Sequence, residues 1–229
     1  MAEPLIIARQ VAKYFGDFPA LRSIDLEVQA GEALALLGRN GAGKSTLLQL
    51  FAGLSQPTSG AIELRVGGSD FRQSVGVLGH GQWLYDDLTA AENLNFFAQL
   101  YAVQDAPGKI DSWLELTGLS RFRDSRVNEF SRGMRQRLAI ARAFLHEPRV
   151  LLLDEPWTAL DDRAIRFLSD RMTEARQRGA TLVVCSHQLR EALEVADRVA
   201  VLDRGRLAYV EEVSEALRAN PDSLYERLS

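Results

Sequence analysis

The residues best equipped for chemistry in this chain are Gly38-Arg39-Asn40-Gly41-Ala42-Gly43-Lys44-Ser45. Glycines at these spacings let the backbone curl into conformations that a Cβ obstructs. The curl turns a run of N–H groups inward, and a helix starting at the same point adds its partial positive charge. Together they make a cradle for phosphate. Lys44 can reach the β- and γ-phosphates, and Ser45 can set its hydroxyl on a magnesium ion. The spacing G-x-x-x-x-G-K-[ST] therefore points to a nucleoside triphosphate. An ordinary strand–turn–helix is the bland alternative, yet strand, turn and helix all fall where a phosphate loop needs them.

Other candidates sit at the ends of apolar runs. Val150 to Leu153 leads into Asp154-Glu155. Asp154 can hold magnesium through its water shell. Glu155 can orient or deprotonate a water attacking the γ-phosphate. Alone, Asp-Glu before Pro156 could simply open a turn; beside a phosphate loop, chemistry is the better reading. His187 follows the apolar run Thr181 to Ser186, where it could bond the γ-phosphate. Cys185 on that run reads as an inert core residue. In Lys13-Tyr14-Phe15-Gly16, read as a loop, an aromatic could stack on a base or pack in a core. The residues themselves leave both open.

These groups need elements to hold them. Ala33 to Leu37 is unbroken and apolar, as a parallel strand covered on both faces should be. Ile24, Leu26 and Val28 alternate with Asp25 and Glu27, which predicts a half-solvated strand in an antiparallel edge sheet. Leu5 to Ala8, Ala61 to Val66 and Val75 to Gly79 are further strands, and the helix after the phosphate loop runs to Leu54. Thr89 with Glu92 forms a capping box for a helix carrying Leu94, Phe97, Ala98 and Tyr101 on one face. Pro107-Gly108 is expected to break it. Helices follow over Lys109 to Thr117 and, capped by Ser131, over Arg132 to His146. Residues 81–148 thus read as a helical subdomain inserted in a single domain spanning 1–229. Beyond it, Asp161 or Asp162 caps a helix, and Leu189 to Asp197 forms another. Strands are expected at Val199 to Asp203 and Arg206 to Tyr209, then a helix over Val213 to Ala219. Strands alternating with helices imply an α/β fold with ligands at the carboxyl ends of a mostly parallel sheet.

Composition sets limits. With 229 residues and 46% hydrophobic content, the chain can build a full core. A net charge of −4 gives no bulk attraction to nucleic acid or anionic lipid. The single cysteine allows no internal disulfide. The first ten residues lack the pattern of a secretory signal, and no apolar stretch is long enough to span a bilayer. Any work at a membrane would go through partners.

Phe130-Ser131-Arg132-Gly133-Met134-Arg135-Gln136 resembles the signature motif of ATP-binding cassette (ABC) ATPases, and the chain follows that family's motif order from roughly Leu5 to Tyr209. The resemblance implies a P-loop NTPase of ABC type that hydrolyses ATP with Mg2+. It makes Gly38 to Ser45, with Thr46, the Walker A loop, and Phe15 the aromatic that stacks on the base. Asp154 and Ser45 become the magnesium residues, Glu155 the catalytic glutamate, His187 the switch histidine and Asp161 part of the D-loop. Ser131, Gly133 and Met134 would face the nucleotide held by a second chain in a head-to-tail dimer. Arg132 and Met134 stand where the family's motif usually has glycine and glutamine. The resemblance places the Q-loop residue at His80, while a glutamine occurs two positions on, at Gln82. Spacing favours His80, which offers no carbonyl for the ion; chemistry favours Gln82. We take His80 as the Q-loop residue.

Gly79-His80, Leu84 to Thr89, Glu92-Asn93-Leu94 and Leu100-Tyr101 are similar to ATP-binding subunits of heme exporters used in cytochrome c maturation. That implies integral membrane partner subunits and a place on the inner face of the cell membrane, with no nucleic acid partner. The alternatives are an exporter of drugs, lipids or polysaccharide, or a soluble ABC ATPase acting on ribosomes or DNA. Against the latter stand a single Walker A loop and the lack of a long coiled-coil insertion or basic patch. A switch GTPase would need an Asn-Lys-x-Asp motif, which the sequence lacks.

Overall fold

The computed structural model describes residues 3–66, 71–79 and 82–226. Strands β1 (Pro4–Phe15) and β2 (Phe18–Gln29) form a hairpin with Phe15 opposite Phe18. Strand β3 (Ala33–Gly38) enters the phosphate loop, α1 (Lys44–Phe51) leaves it, and β4 (Ser59–Leu64) returns to pair with β1. The order β2-β1-β4 makes a small antiparallel sheet. Lys13 to Phe15 therefore belong to β1 and not to a loop: the turn needs only Gly16 and Asp17, so pairing continues to Phe15.

Next come β5 (Val75–Leu78), α2 (Ala90–Leu100), α3 (Ala106–Leu116) and α4 (Arg132–Phe144). The capping box of α2 is formed, with Thr89 Oγ1 accepting from the Glu92 N–H and Glu92 Oε2 from the Thr89 N–H. Pro107-Gly108 does not end α2, which has already stopped at Leu100; both lie in the first turn of α3. A proline there has no intrahelical N–H bond to lose. The chain closes with β6 (Val150–Asp154), α5 (Asp162–Gln177), β7 (Thr181–Cys185), α6 (Leu189–Val195), β8 (Arg198–Asp203), β9 (Arg206–Glu212), α7 (Glu215–Ala219) and α8 (Ser223–Glu226).

The second sheet has the order β5-β6-β7-β3-β8-β9, parallel except for β8 against β9. Every residue of β3, β6 and β7 is buried, which explains their unbroken apolar runs. Opposite faces of these strands feed two cores. Leu34, Leu36, Leu152 and Val183 pack with α1 and the small sheet. Leu37, Leu151, Leu153 and Leu182 pack with α4, α5 and α6. A third core, around Leu94, Leu114, Leu138 and Leu145, joins α2, α3 and α4. Parallel strands put their carboxyl ends on one edge, so Gly38, Leu78, Asp154 and Cys185 all finish there.

Candidate functional site

That edge carries the site. The turn from β3 to α1 runs through Gly38, Gly41 and Gly43 with φ of 150°, 79° and 105°. Gly43 has a second constraint, because a Cβ on it would come within 2.7 Å of Ala20 O and Leu21 Cδ2. Lys44 is buried, and its Nζ donates to Gly38 O (2.8 Å) and Arg39 O (3.3 Å). The ammonium is thus held over the loop, where a phosphate could replace those carbonyls. Ser45 is exposed at the first turn of α1. An open hollow is lined by Phe15, Phe18, Asn40, Lys44, Ser45 and Glu155, with Gly41, Ala42, Gly43 and Thr46 completing its loop side. Aromatics at one end, amides and an ammonium in the middle, and a carboxylate at the other suit a nucleotide with its phosphates on the loop. Phe15 is 53% and Phe18 63% exposed, so the packing alternative for Phe15 falls away. Phe18 was missed; its signal was a second aromatic just across the Gly16-Asp17 turn.

Two strands over, Asp154 ends β6 and is buried. Glu155 follows with φ of 49°, a left-handed conformation that costs a non-glycine residue about 1 kcal/mol or more. Its N–H donates to Cys185 O (2.8 Å), fastening it to β7. Its Oε2 receives the Ser186 hydroxyl (3.2 Å) and lies 2.7 Å from Nδ1 of His187. The expectation that His187 bonds a γ-phosphate thus gains a partner that spacing could not show, the Glu155 carboxylate. Ser186, fully buried beneath it, was also missed. Cys185 is fully buried, and burial pushes its thiol well above the usual range, in keeping with an inert core residue.

The donor set fits magnesium. Among the described residues no cluster of three or more His, Cys, Asp or Glu could hold a metal by itself. Magnesium bound with a nucleotide needs no such cage, because phosphate oxygens and water fill most of its shell. Ser45 and Asp154 could supply the protein's share.

The remaining candidates lie elsewhere. Ser131 caps α4, its Oγ accepting from the Met134 N–H (3.3 Å). A Cβ added to Gly133 would lie 3.4 Å from Ala159 O, an ordinary contact. Asp161 caps α5 through the Ala164 N–H (2.8 Å), which decides between the two aspartates. These three are not among the residues lining the phosphate hollow of their own chain. His80 lies outside the described residues. Gln82 is described, and its side chain donates to Gln136 Oε1 (3.2 Å). Sequence reasoning had no signal for Tyr225 on α8, which stands close to Gly38 and Glu155; burial raises its pKa, with the nearby Glu155 carboxylate adding to the shift. Leu224, fully buried, anchors it, and Tyr209 donates to Leu224 O (2.6 Å).

This geometry has counterparts in known proteins. The pattern of the ABC transporter family matches residues 21–158. The chain belongs to the ABC transporter family. As an ABC ATPase it binds ATP with Mg2+ and hydrolyses the nucleotide. It is 36% identical to a probable sulfate/thiosulfate import ATP-binding protein of Chlorella vulgaris over 92% of each chain. It is 38% identical to the Nod factor export ATP-binding protein I of Burkholderia lata, over 86% of this chain and 67% of that one. Among solved structures it matches a dimeric ATP-binding cassette in a post-hydrolysis state with ADP and Pi, with a TM-score of 0.83 and 26% identity, over 91% of this chain and 99% of that one. ABC relatives thus include both importers and exporters.

Proposed function

We propose that this ABC chain is the ATP-hydrolysing subunit of an exporter and that its cargo is heme, delivered for cytochrome c maturation. The observation that carries the ATPase part is the shared strand edge, where Lys44 and Glu155 line one hollow, Asp154 ends the strand just before Glu155, and His187 contacts the Glu155 carboxylate. Lys44 and the loop amides from Gly38 to Thr46 hold the phosphates, and Phe15 stacks on the base. Ser45 and Asp154 would hold a magnesium ion, which would supply neutralising charge beside the phosphates. Glu155 takes the proton of the attacking water, and His187 orients its carboxylate. Ser131, Gly133 and Met134, with Asp161, meet the nucleotide of a second, head-to-tail copy. They can do so only across an interface, since they line no part of their own chain's hollow.

Residues 81–148 form the subdomain that grips integral membrane subunits on the inner face of the membrane. Their separate core supports this, as do the aromatics left outside it: Trp83, Tyr85 and Phe96 are 42%, 48% and 42% exposed. Apolar surface of this kind usually marks an interface. Among the described residues no helix is long and apolar enough to cross a membrane.

The heme reading rests on the likeness of the segment from Gly79 to Tyr101 to heme-exporter subunits. A strain lacking this chain should lose covalently bound heme in its c-type cytochromes while keeping other heme proteins. Normal c-type cytochromes would remove that cargo. The Nod factor export relative favours a second reading, an exporter with a different cargo.

A further inference from the structure

We propose that Gln136 is a positioning residue for ATP hydrolysis, joining the loop after β5 to the peptide that follows Glu155. Its side chain makes two bonds in opposite directions. Nε2 donates to Pro156 O at 3.0 Å, and Oε1 accepts from Nε2 of Gln82 at 3.2 Å. The polarity is fixed by chemistry: a carbonyl can only accept, so the Gln136 amide must present nitrogen to Pro156 and oxygen to Gln82. Gln136 is 8% exposed. A buried amide is costly unless it is bonded, so both contacts are needed where they are.

What lies at the far end makes the relay consequential. Glu155 precedes Pro156 and sits in a left-handed conformation. Its N–H is fastened to Cys185 O. A residue before proline has few conformations open to it. With one side of Glu155 pinned to β7, the Pro156 carbonyl is the handle by which its backbone, and with it the carboxylate, is held or turned.

At the near end, the loop after β5 is tied to α4 by more than Gln82. Asp86 pairs with Arg135, and the Trp83 ring lies 5.4 Å from the Arg142 guanidinium. Arg142 is itself buried and donates to Val77 O (2.7 Å). Loop and helix are therefore coupled at three points, and Gln136 carries the coupling to the strand end where hydrolysis occurs. The amide of Gln82 is engaged with Gln136, so it acts on the reaction through α4.

The proposal concerns hydrolysis and stands whatever the cargo. Gln136→Glu keeps the shape and the acceptor for Gln82 but has no donor for Pro156. With Mg-ATP and the purified chain, we expect kcat to fall about tenfold while the KM for ATP stays within about twofold. Gln82→Ala should also lower kcat. The double variant should be no slower than the slower single, because both changes break one chain of contacts. Should Gln136→Glu fail to fold, Gln136→Met, which removes both bonds without adding charge, carries the same test. A variant at position 136 that turns over at the wild-type rate would overturn the proposal. So would losses that multiply in the double variant, or a loss seen only as a raised KM.

Discussion

Glu155 and His187 show what a single residue position can and cannot reveal. That both stand at strand ends was legible from apolar runs ending in polar residues. That one holds the other was not, because their contact depends on β6 and β7 being neighbours in the sheet. Tyr225 escaped notice because it approaches the phosphate loop from the far end of the chain, whereas Phe18 was missed although it stands just across the turn from Phe15. The placement of Lys44 was legible, since it follows from the loop that contains it. Lys44→Ala should weaken ATP binding at least tenfold in a fluorescent-nucleotide titration while leaving the fold intact, because the side chain packs against carbonyls of its own loop. Unchanged affinity would remove it from phosphate binding. His146 gives a second test. Its ring stacks on Tyr101 with centroids 3.9 Å apart, and burial lowers its pKa to about 4. The unfolded chain takes up that proton near pH 6.5, so the folded state is fully favoured above that pH and loses stability as pH falls towards 4. Between about pH 7.5 and about pH 5 the wild type should lose about 2 kcal/mol more than His146→Phe in urea unfolding. Equal losses would show that the imidazole is not held neutral by the fold.

At the scale of elements, period and capping carried most of the information. The capping box of α2, the serine cap of α4 and the buried parallel strands stand where the sequence predicts them. The misses have physical causes. β1 runs on to Phe15 because its hairpin closes in two residues, and Pro107 begins a helix where it was expected to end one. Close approach between elements was illegible, and Gly76 is the clearest case. A Cβ there would lie 2.3 Å from Ala143 O on α4 and 2.7 Å from Pro148. Gly76→Ala should therefore push β5 from α4 and lower stability by about 1–3 kcal/mol, read as a drop in Tm. An unchanged Tm would mean that the two elements can separate freely. The loop before α2 supplies a functional test. Asn93, fully buried, accepts from the Tyr85 N–H (2.8 Å) and donates to Tyr85 O (3.0 Å), holding Tyr85 against Phe96. If this surface meets a membrane subunit, photocrosslinkers at Trp83 and Tyr85 should label that subunit in the assembled transporter. Labelling from distant surfaces but never from these two would place the interface elsewhere.

For the whole molecule, the family was legible because its motifs fall in order along the chain, several of them at the carboxyl ends of one parallel sheet. Cargo was not, since nothing in an ATPase site distinguishes what a partner carries. Ser131, which caps α4, does not line the phosphate hollow of its own chain, in keeping with the proposed second copy. The most direct test replaces Glu155 by Gln, keeping shape and removing the charge that polarises water, and measures steady-state ATP hydrolysis alongside ATP affinity and particle mass. The expected result is a rate at least about 100-fold below wild type, undiminished affinity, and a mass that doubles when ATP is added. A Glu155→Gln chain that hydrolyses ATP at more than about a tenth of the wild-type rate, or that stays a monomer with ATP bound, would contradict the account.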